Sequence, residues 1–359
     1  MKLNQLTFTR FLAAVAIVIY HYGLKAVPFN SGVINDFFRV SDAFVSYFFV
    51  LSGFVMVIAY GQKGFKPINY STYYLNRFAR IYPIYLLALI ATIALGFHGS
   101  ISRINFTALF LQASLLHSWI PPYPLSLNYP AWSLSVEAFF YLSFPFLFNR
   151  VFTKYRIKPI VITVLVFFIC TQTVLTYLRQ SSFYHGFPSS SHDFINYFPL
   201  SHFSEFLLGN CLGLWFLNIP DRYFKNYDLP VIAIFLLIAY IMVATRATYV
   251  LPILFVLIIL FLSLNRGGYI TKVFSVKSFQ VLGEASYGVY ILQAPVFNLV
   301  TRLNSKLQIF NLVGAFYAGC ILLLVLSIVS YFVIEVPVRD YIKALYNSRK
   351  AHKSMATVN

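Results

Sequence analysis

The sequence contains little charge for its length. Only 10% of its 359 residues are Asp, Glu, Lys or Arg, and only ten of them are acidic. A soluble protein of this size needs more polar surface, so the scarcity of charge excludes a soluble globular domain. Hydrophobic residues make up 59% of the chain, and its mean hydropathy is +0.74. The composition therefore predicts an all-α fold, a polytopic bundle of membrane-spanning helices.

Cysteine is also scarce, with three residues in the whole chain. Cys170, Cys211 and Cys320 each lie in an apolar run, and no two of them have the spacing of metal ligands. The sequence contains no HxxxH or HExxH pattern either. We therefore expect no metal site.

The chain contains no tandem repeat, low-complexity segment or linker that would divide it. We predict one membrane domain over residues 1–345. A basic cytoplasmic tail follows over residues 346–359, and we expect it to be disordered or to lie on the lipid surface.

Ten apolar segments are long enough to cross a bilayer. They lie near residues 6–24, 42–60, 79–97, 131–149, 159–178, 199–217, 229–245, 248–264, 280–300 and 311–334. If the N-terminus is cytoplasmic, 20 of the 27 Lys and Arg residues fall on the inner side and seven on the outer side. This asymmetry follows the positive-inside rule and predicts that both termini are cytoplasmic. The net charge of +17 then reflects inner loops and anionic membrane lipid, so we expect no nucleic-acid partner.

The first segment, Met1–Gly23, resembles a secretory signal, but no small-residue cleavage site follows it, so we expect a retained helix. Arg10 and His21 are eleven residues apart, which places them on one helix face, about 16 Å apart along the axis. An ionisable pair inside a membrane helix predicts a functional site. The alternative is that each side chain merely reaches the nearer membrane interface.

Two further arginines, Arg77 and Arg80, are three residues apart and share a helix face at the predicted cytoplasmic entrance. Paired guanidinium groups suit the recognition of phosphate. The alternative is an ordinary positive anchor at the inner membrane surface. The two residues alone leave both interpretations open.

A polar stripe begins the fourth apolar segment. Ser133, Glu137 and Tyr141 are spaced four residues apart and therefore share a helix face. A carboxylate inside the membrane needs a partner, and we expect an arginine or histidine from another helix. The preceding stretch 98–130 begins with His98, is rich in Pro, Tyr and Trp, and is a candidate lid or acceptor-binding surface.

Two weaker features concern helix packing. Ser52 and Gly53 permit either the close approach of another helix or a kink. His202 and Glu205 are three residues apart on one helix, close enough to neutralise each other.

Seven short motifs, taken in order, resemble those of the acyltransferase 3 family of membrane O-acyltransferases. The resemblance covers nearly the whole chain, and we expect the stand-alone form without a fused extracytoplasmic hydrolase-like domain. The motifs are Arg10 to His21 (R-x10-H), Phe48–Phe54, Arg77 to Arg80 (RxxR), Pro130–Glu137, Glu205–Gly209, Ser286–Tyr290 and Glu335–Pro337.

The resemblance implies that an acyl group, usually acetyl, passes from cytoplasmic acetyl-CoA to a hydroxyl of a cell-surface or exported glycan, such as an exopolysaccharide or the O-antigen of lipopolysaccharide. It implies a multi-pass protein of the bacterial inner membrane. The expected partners are acyl-CoA, a glycan or lipid-linked glycan acceptor, and membrane lipid.

The same resemblance implies roles for individual residues. His21 would be the general base toward the acceptor hydroxyl. Glu137 would orient or charge-balance the catalytic group. Arg77 and Arg80, together with Arg10, would hold the phosphates or acyl-carrying arm of the donor.

Further substrate-binding residues are expected on three helices, and a continuous passage should connect the inner arginines with the outer histidine. These residues are Ser52, Trp132, Ser133 and Tyr287.

Two positions depart from the family pattern. Gln293 stands where the family often has histidine, so this position is expected to take no part in proton chemistry. His202 stands where the family often has arginine, which leaves the roles of both positions open.

Two other functions remain open. A non-enzymatic transporter or flippase of a glycan precursor or acyl compound could also use inner arginines and an outer histidine. It would predict inverted repeats or paired broken helices, which the sequence does not show. A covalent route would place the acyl group on His21 or another residue, whereas direct transfer predicts no acyl-enzyme.

Overall fold

The computed structural model describes residues 3–62, 64–96 and 105–356, with side chains described as far as residue 348. His98 of the predicted outer loop and residues 357–359 of the predicted tail lie outside these ranges. The described residues form helices and contain no β-strand, which confirms the all-α fold class. The α-helices are α1 (Asn4–Val18), α2 (Gly32–Phe38), α3 (Phe44–Gly61), α4 (Tyr70–Gly96), α5 (Phe106–Ala113), α6 (Trp132–Leu147), α7 (Ile157–Gln180), α8 (Ser190–Tyr197), α9 (Pro199–Phe216), α10 (Asp228–Tyr240), α11 (Leu251–Leu264), α12 (Tyr269–Phe274), α13 (Lys277–Leu307), α14 (Leu312–Ser330) and α15 (Val336–Ala356).

Seven helical segments of the described chain are long and apolar enough to cross a membrane. They are Asn4–Gly23, Ser41–Gly61, Tyr70–Gly96, Tyr129–Phe152, Ile157–Gln180, Asp228–Thr245 and Leu312–Ser348. A multi-pass membrane protein is therefore confirmed, but the predicted count of about ten spans is not.

The other three predicted spans are helices with weaker membrane character. The segment Thr248–Leu264 is apolar but shorter than the seven. Helices α9 and α13 are long enough but less apolar, and both bury polar side chains, among them Glu205, Asn210 and Gln293. A helix enclosed by other helices can direct polar residues into the bundle, which lowers its hydropathy.

Close backbone contacts hold the bundle together around α1 and α3. Helix α1 packs along α13, where a Cβ atom at Gly283 would lie only 2.1 Å from the backbone oxygen of Thr7. Helix α3 crosses α9 at Gly53, so of the two alternatives that the sequence left open, a close approach or a kink, the close approach is observed. Small residues let membrane helices pack backbone against backbone in this way.

Helix α15 packs against α4 near the end of the described chain. The hydroxyls of Thr72 and Tyr346 lie 3.4 Å apart across this contact. Because α15 runs to Ala356, residues 346–356 of the predicted tail are helical. This packing brings α15 beside the arginines of α4.

Candidate functional site

A polar cavity of about 460 Å³ opens among α1, α3, α4, α6, α13 and α15. It takes in seven of the nine side chains that the sequence assigned to the site. These seven are Arg10, Ser52, Arg77, Arg80, Ser133, Glu137 and Tyr287. A second cavity, of about 490 Å³ and bounded by α1–α3 and α10–α12, is lined almost entirely by apolar side chains and offers no comparable chemistry.

Basic side chains outnumber acidic ones around the polar cavity. The lining contains five Lys or Arg residues and three carboxylates. The basic residues are Arg10, Arg77, Arg80, Arg339 and Lys343, and the acidic ones are Glu137, Glu284 and Glu335. Clustered guanidinium and ammonium groups favour a polyanionic ligand such as one with several phosphates.

The two arginines of the RxxR motif have different surroundings. The Arg77 guanidinium lies 5.8, 5.6 and 5.5 Å from the ring centres of Tyr60, Tyr73 and Tyr141. Cation–π contacts with three rings fix the Arg77 side chain in place. Arg80 is exposed toward the open cavity, so its guanidinium is the freer of the two to meet a ligand.

Glu137 lies at the polar stripe of α6, facing α3. Its Oε1 accepts a hydrogen bond from the Ser52 hydroxyl at 3.2 Å and another from the Tyr141 hydroxyl. The prediction that an arginine or histidine pairs with Glu137 is wrong, because no ion pair to Glu137 occurs among the described residues. Two hydroxyl donors satisfy the carboxylate instead, since hydrogen bonds to the charged form also stabilise it.

His21 does not line the polar cavity, although Arg10 on the same segment does. Residues Ile19–Gly23 form a π-helical turn after α1. At about 1.5 Å rise per residue His21 lies roughly 16 Å along the helix axis from Arg10, so one side chain can line the cavity while the other lies beyond it. Nδ1 of His21 lies 2.8 Å from Oε1 of Gln293 on α13, and the Tyr129 ring meets the imidazole edge-on with centroids 4.9 Å apart.

The cavity ends close to His21 without reaching it. Its lining extends to Ser133 and Tyr290, whose hydroxyls are hydrogen-bonded at 2.8 Å. Gln293, the partner of His21, is one helical turn beyond Tyr290, about 4.5 Å along the helix axis. The polar cavity itself therefore does not include His21, and the expected continuous passage from Arg77 to His21 stays a prediction.

Trp132 also lies outside the cavity lining. Its ring packs against Tyr197 and His202, at centroid distances of 4.9 and 5.4 Å. The predicted pair of His202 and Glu205 is confirmed, with Nδ1 and Oε1 3.5 Å apart. This pair belongs to the packing between α6 and α9 behind the cavity.

The stretch after α5, which the sequence predicts to be outside, contributes no ionisable group to the cavity, as far as the structure describes it. His117 is fully buried there, and burial lowers its pKa to about 4. The His117 imidazole is therefore neutral at physiological pH.

Two residues of the site were missed by sequence reasoning. Arg339 and Lys343 line the cavity from α15, although the sequence suggested only cytoplasmic anchors for the charges around Arg339. Arg339 and Lys343 are four residues apart on one helix, and this spacing could have indicated that they share a face. Tyr290 and Gln293 stand out in the sequence, but their contacts with Ser133 and His21 follow only from the packing of α13 against α6 and α1.

Comparison with known proteins agrees with this architecture. A family model described as an acyltransferase domain matches residues 3–332. The chain is 29% identical to "Acyltransferase MdmB" of Streptomyces mycarofaciens over 163 residues, which is 42% of this chain and 40% of that protein. It is 24% identical to "Peptidoglycan O-acetyltransferase OatA" of Listeria monocytogenes over 327 residues, which is 81% of this chain and 49% of that protein.

These alignments cover less than half the length of either relative. No solved structure matches the chain. The family match nevertheless extends across nearly all of the helical bundle and includes α1, α3, α4, α6 and α13 of the polar cavity. The chain belongs to the acyltransferase 3 family.

Proposed function

We propose that the protein transfers an acyl group, most readily acetyl, from cytoplasmic acyl-CoA to a hydroxyl of a cell-surface or exported glycan at the bacterial inner membrane. The observation that carries this proposal is a basic cavity whose lining reaches Tyr290 on α13, three residues before Gln293, the hydrogen-bond partner of His21. The relative described as a peptidoglycan O-acetyltransferase supports both the acetyl group and the glycan acceptor.

The basic residues of the cavity bind the acyl-CoA donor. Arg80 and Arg10, with Arg339 and Lys343 of α15, bind the phosphates of CoA, and Arg77 is held by its tyrosine rings as a fixed positive charge. The narrow acyl-pantetheine arm then extends toward Ser133 and Tyr290. Placing the thioester beside the acceptor converts an encounter in solution into a reaction within one bound complex.

His21 acts on the acceptor. Nε2 of its neutral imidazole takes the proton from the sugar hydroxyl while the hydroxyl oxygen attacks the thioester carbon. The C–S bond breaks, the CoA thiolate leaves, and the imidazolium returns the proton to the thiolate. The products are an O-acyl glycan and CoA, and His21 is neutral again.

Direct transfer requires the end of the cavity to open. Ser133 and Tyr290, which line the cavity and are hydrogen-bonded to each other at 2.8 Å, form the contact that we expect to separate the cavity from His21. In this mechanism the acyl arm displaces that contact and meets the acceptor at His21. Gating steps of this kind commonly accompany substrate binding.

The test uses the purified full chain in lipid nanodiscs, where both faces are accessible. Binding of acetyl-CoA is measured by calorimetry, and free CoA is measured after adding glycan extracted from the host. Arg80→Ala should weaken acetyl-CoA binding at least about tenfold, because a charge-assisted phosphate contact contributes about 1.5–3 kcal/mol.

Two control variants test the specificity of these effects. Arg246→Ala removes an arginine that lies far from the cavity and pairs with Asp36 at 3.1 Å, so it should bind acetyl-CoA like wild type. His21→Ala should retain acetyl-CoA binding but lose glycan-dependent CoA release. Equal binding by Arg80→Ala and wild type, or unchanged CoA release by His21→Ala, would contradict the proposal.

A further inference from the structure

Gln293 on α13 has a completely buried side chain. Its Nε2 lies 2.7 Å from the backbone oxygen of Tyr290, and its Oε1 lies 2.8 Å from Nδ1 of His21. Both ends of one amide are therefore used, one by its own helix and the other by the helix that carries His21.

The carbonyl of Tyr290 determines which way the amide points. A backbone carbonyl oxygen can only accept a hydrogen bond, so the NH₂ end of Gln293 must face it. A reversed amide would place two oxygens against each other in a buried position where water cannot satisfy either of them. Oε1 of Gln293 therefore faces Nδ1 of His21.

The amide orientation in turn determines the proton position on His21. An amide oxygen accepts and does not donate, so Nδ1 of His21 must carry the proton. In the neutral imidazole the other nitrogen, Nε2, then has a free lone pair. Nε2 is consequently the atom that can remove a proton from a hydroxyl.

We propose that Gln293 is a positioning residue that holds His21 in the Nδ1-protonated tautomer and keeps Nε2 available as the base. The consequence for catalysis rests on the proposed acyl transfer, whereas the tautomer itself does not. The sequence predicted that position 293 takes no part in proton chemistry. In this proposal Gln293 itself gains or loses no proton, but it determines which nitrogen of His21 carries one.

The structure also explains why an uncharged partner serves here. A carboxylate at position 293 could accept the Nδ1 proton, but its second oxygen would face the Tyr290 carbonyl. Its negative charge would also stabilise the imidazolium form of His21. Glutamine satisfies both contacts and leaves the imidazole neutral, the form that a general base requires.

The first measurement is nitrogen-15 NMR of histidine-labelled protein in nanodiscs, with the His21 signals identified by their loss in His21→Ala. Wild type should show a protonated Nδ1 and an unprotonated Nε2 at His21, and Gln293→Leu should shift the population toward the other tautomer. A wild-type His21 protonated at Nε2 would overturn the proposal, and it would do so whether or not the protein transfers acyl groups.

The second measurement is the rate of acyl transfer. Gln293→Leu should lower kcat at least about tenfold, less than the complete loss of a general base, while KM for acetyl-CoA stays within about twofold. Gln293→Glu should retain part of the activity but move the acidic limb of the pH–rate profile to higher pH. A Gln293→Leu enzyme with wild-type kcat would overturn the proposal.

Gln5→Leu is the matched control for burial. Gln5 is also buried and donates from Nε2 to the backbone oxygen of Leu262 at 2.9 Å, away from His21. Its loss should lower the melting temperature but leave kcat and the His21 tautomer unchanged. An equal loss of kcat in Gln5→Leu would show that Gln293 acts only through stability. Absence of transfer by wild type would instead contradict the proposed function and leave the tautomer result intact.

Discussion

The crossing of α3 and α9 makes a sharp prediction about stability. A Cβ atom at Gly209 would lie 1.9 Å from the backbone oxygen of Val50, and a Cβ atom at Gly53 would lie 2.1 Å from that of Phe206. Both obstacles are backbone atoms, which cannot rotate away as a side chain can. Gly209→Ala therefore forces the two helices apart by about 1 Å to bring this contact near 3 Å.

The magnitude follows from two opposing terms. Alanine has the better helix propensity and gains about 1 kcal/mol over glycine. Overpacking of a close contact costs about 1–3 kcal/mol and sometimes more, and the upper end applies here because only the backbone can respond. We expect Gly209→Ala to lower the free energy of unfolding by about 2 kcal/mol.

The assay is thermal unfolding of the purified chain in nanodiscs, compared with Gly96→Ala. Gly96 ends α4 and does not have a positive φ, and a Cβ atom added there would meet no described atom within 4 Å. The Gly96→Ala melting temperature should equal or slightly exceed that of wild type. A Gly209→Ala protein as stable as Gly96→Ala would refute the packing argument.

Three further predictions concern the cavity and its surroundings. Replacing Glu137 by Leu should destabilise the fold by about 1 kcal/mol in thermal unfolding, because two half-buried hydroxyls lose their acceptor, whereas Glu137→Gln should unfold near the wild-type temperature. The double variant Arg339→Ala/Lys343→Ala should raise KM for acetyl-CoA about tenfold and leave kcat within about twofold in steady-state assays; an unchanged KM would remove α15 from the donor site. Asp228→Ala should cost about 1–3 kcal/mol in unfolding without changing acyl transfer, because Asp228 accepts hydrogen bonds from Asn265 and from the first two backbone amides of α12.

The general architecture could be predicted because it depends on local composition. Long apolar segments must form helices in lipid, and their basic flanks indicate which side they face. Ser133, Glu137 and Tyr141 were placed on one face by helical spacing, and all three line the cavity. Regular periodicity within one helix is sufficient for such conclusions.

Other parts of the site could not be predicted because they depend on departures from regular geometry or on distant contacts. The π-helical turn Ile19–Gly23 carries His21, and no local pattern in the sequence predicts this turn. Glu137 was expected to need a charged partner, whereas Ser52 and its own neighbour Tyr141 satisfy it.

The contact between His21 and Gln293 shows the same limit more clearly. The two residues are 272 positions apart in the chain, and their hydrogen bond depends on the packing of α1 against α13. Helical spacing predicts which residues share a face, but it does not predict which two faces meet. The glutamine consequently looked inert in the sequence and lies beside the candidate base in the structure.

The most direct test of the central claim is mass spectrometry of surface glycans from a deletion strain of the host. The strain is complemented at matched membrane protein levels with wild type, His21→Ala, Arg80→Ala or the exposed-histidine control His185→Ala. The account predicts an O-acyl mass increment with wild type and His185→Ala that is absent with His21→Ala and Arg80→Ala. The transferase proposal would be contradicted if every strain made the same acylation pattern and wild type restored only the amount of exported glycan. That result would indicate a transporter.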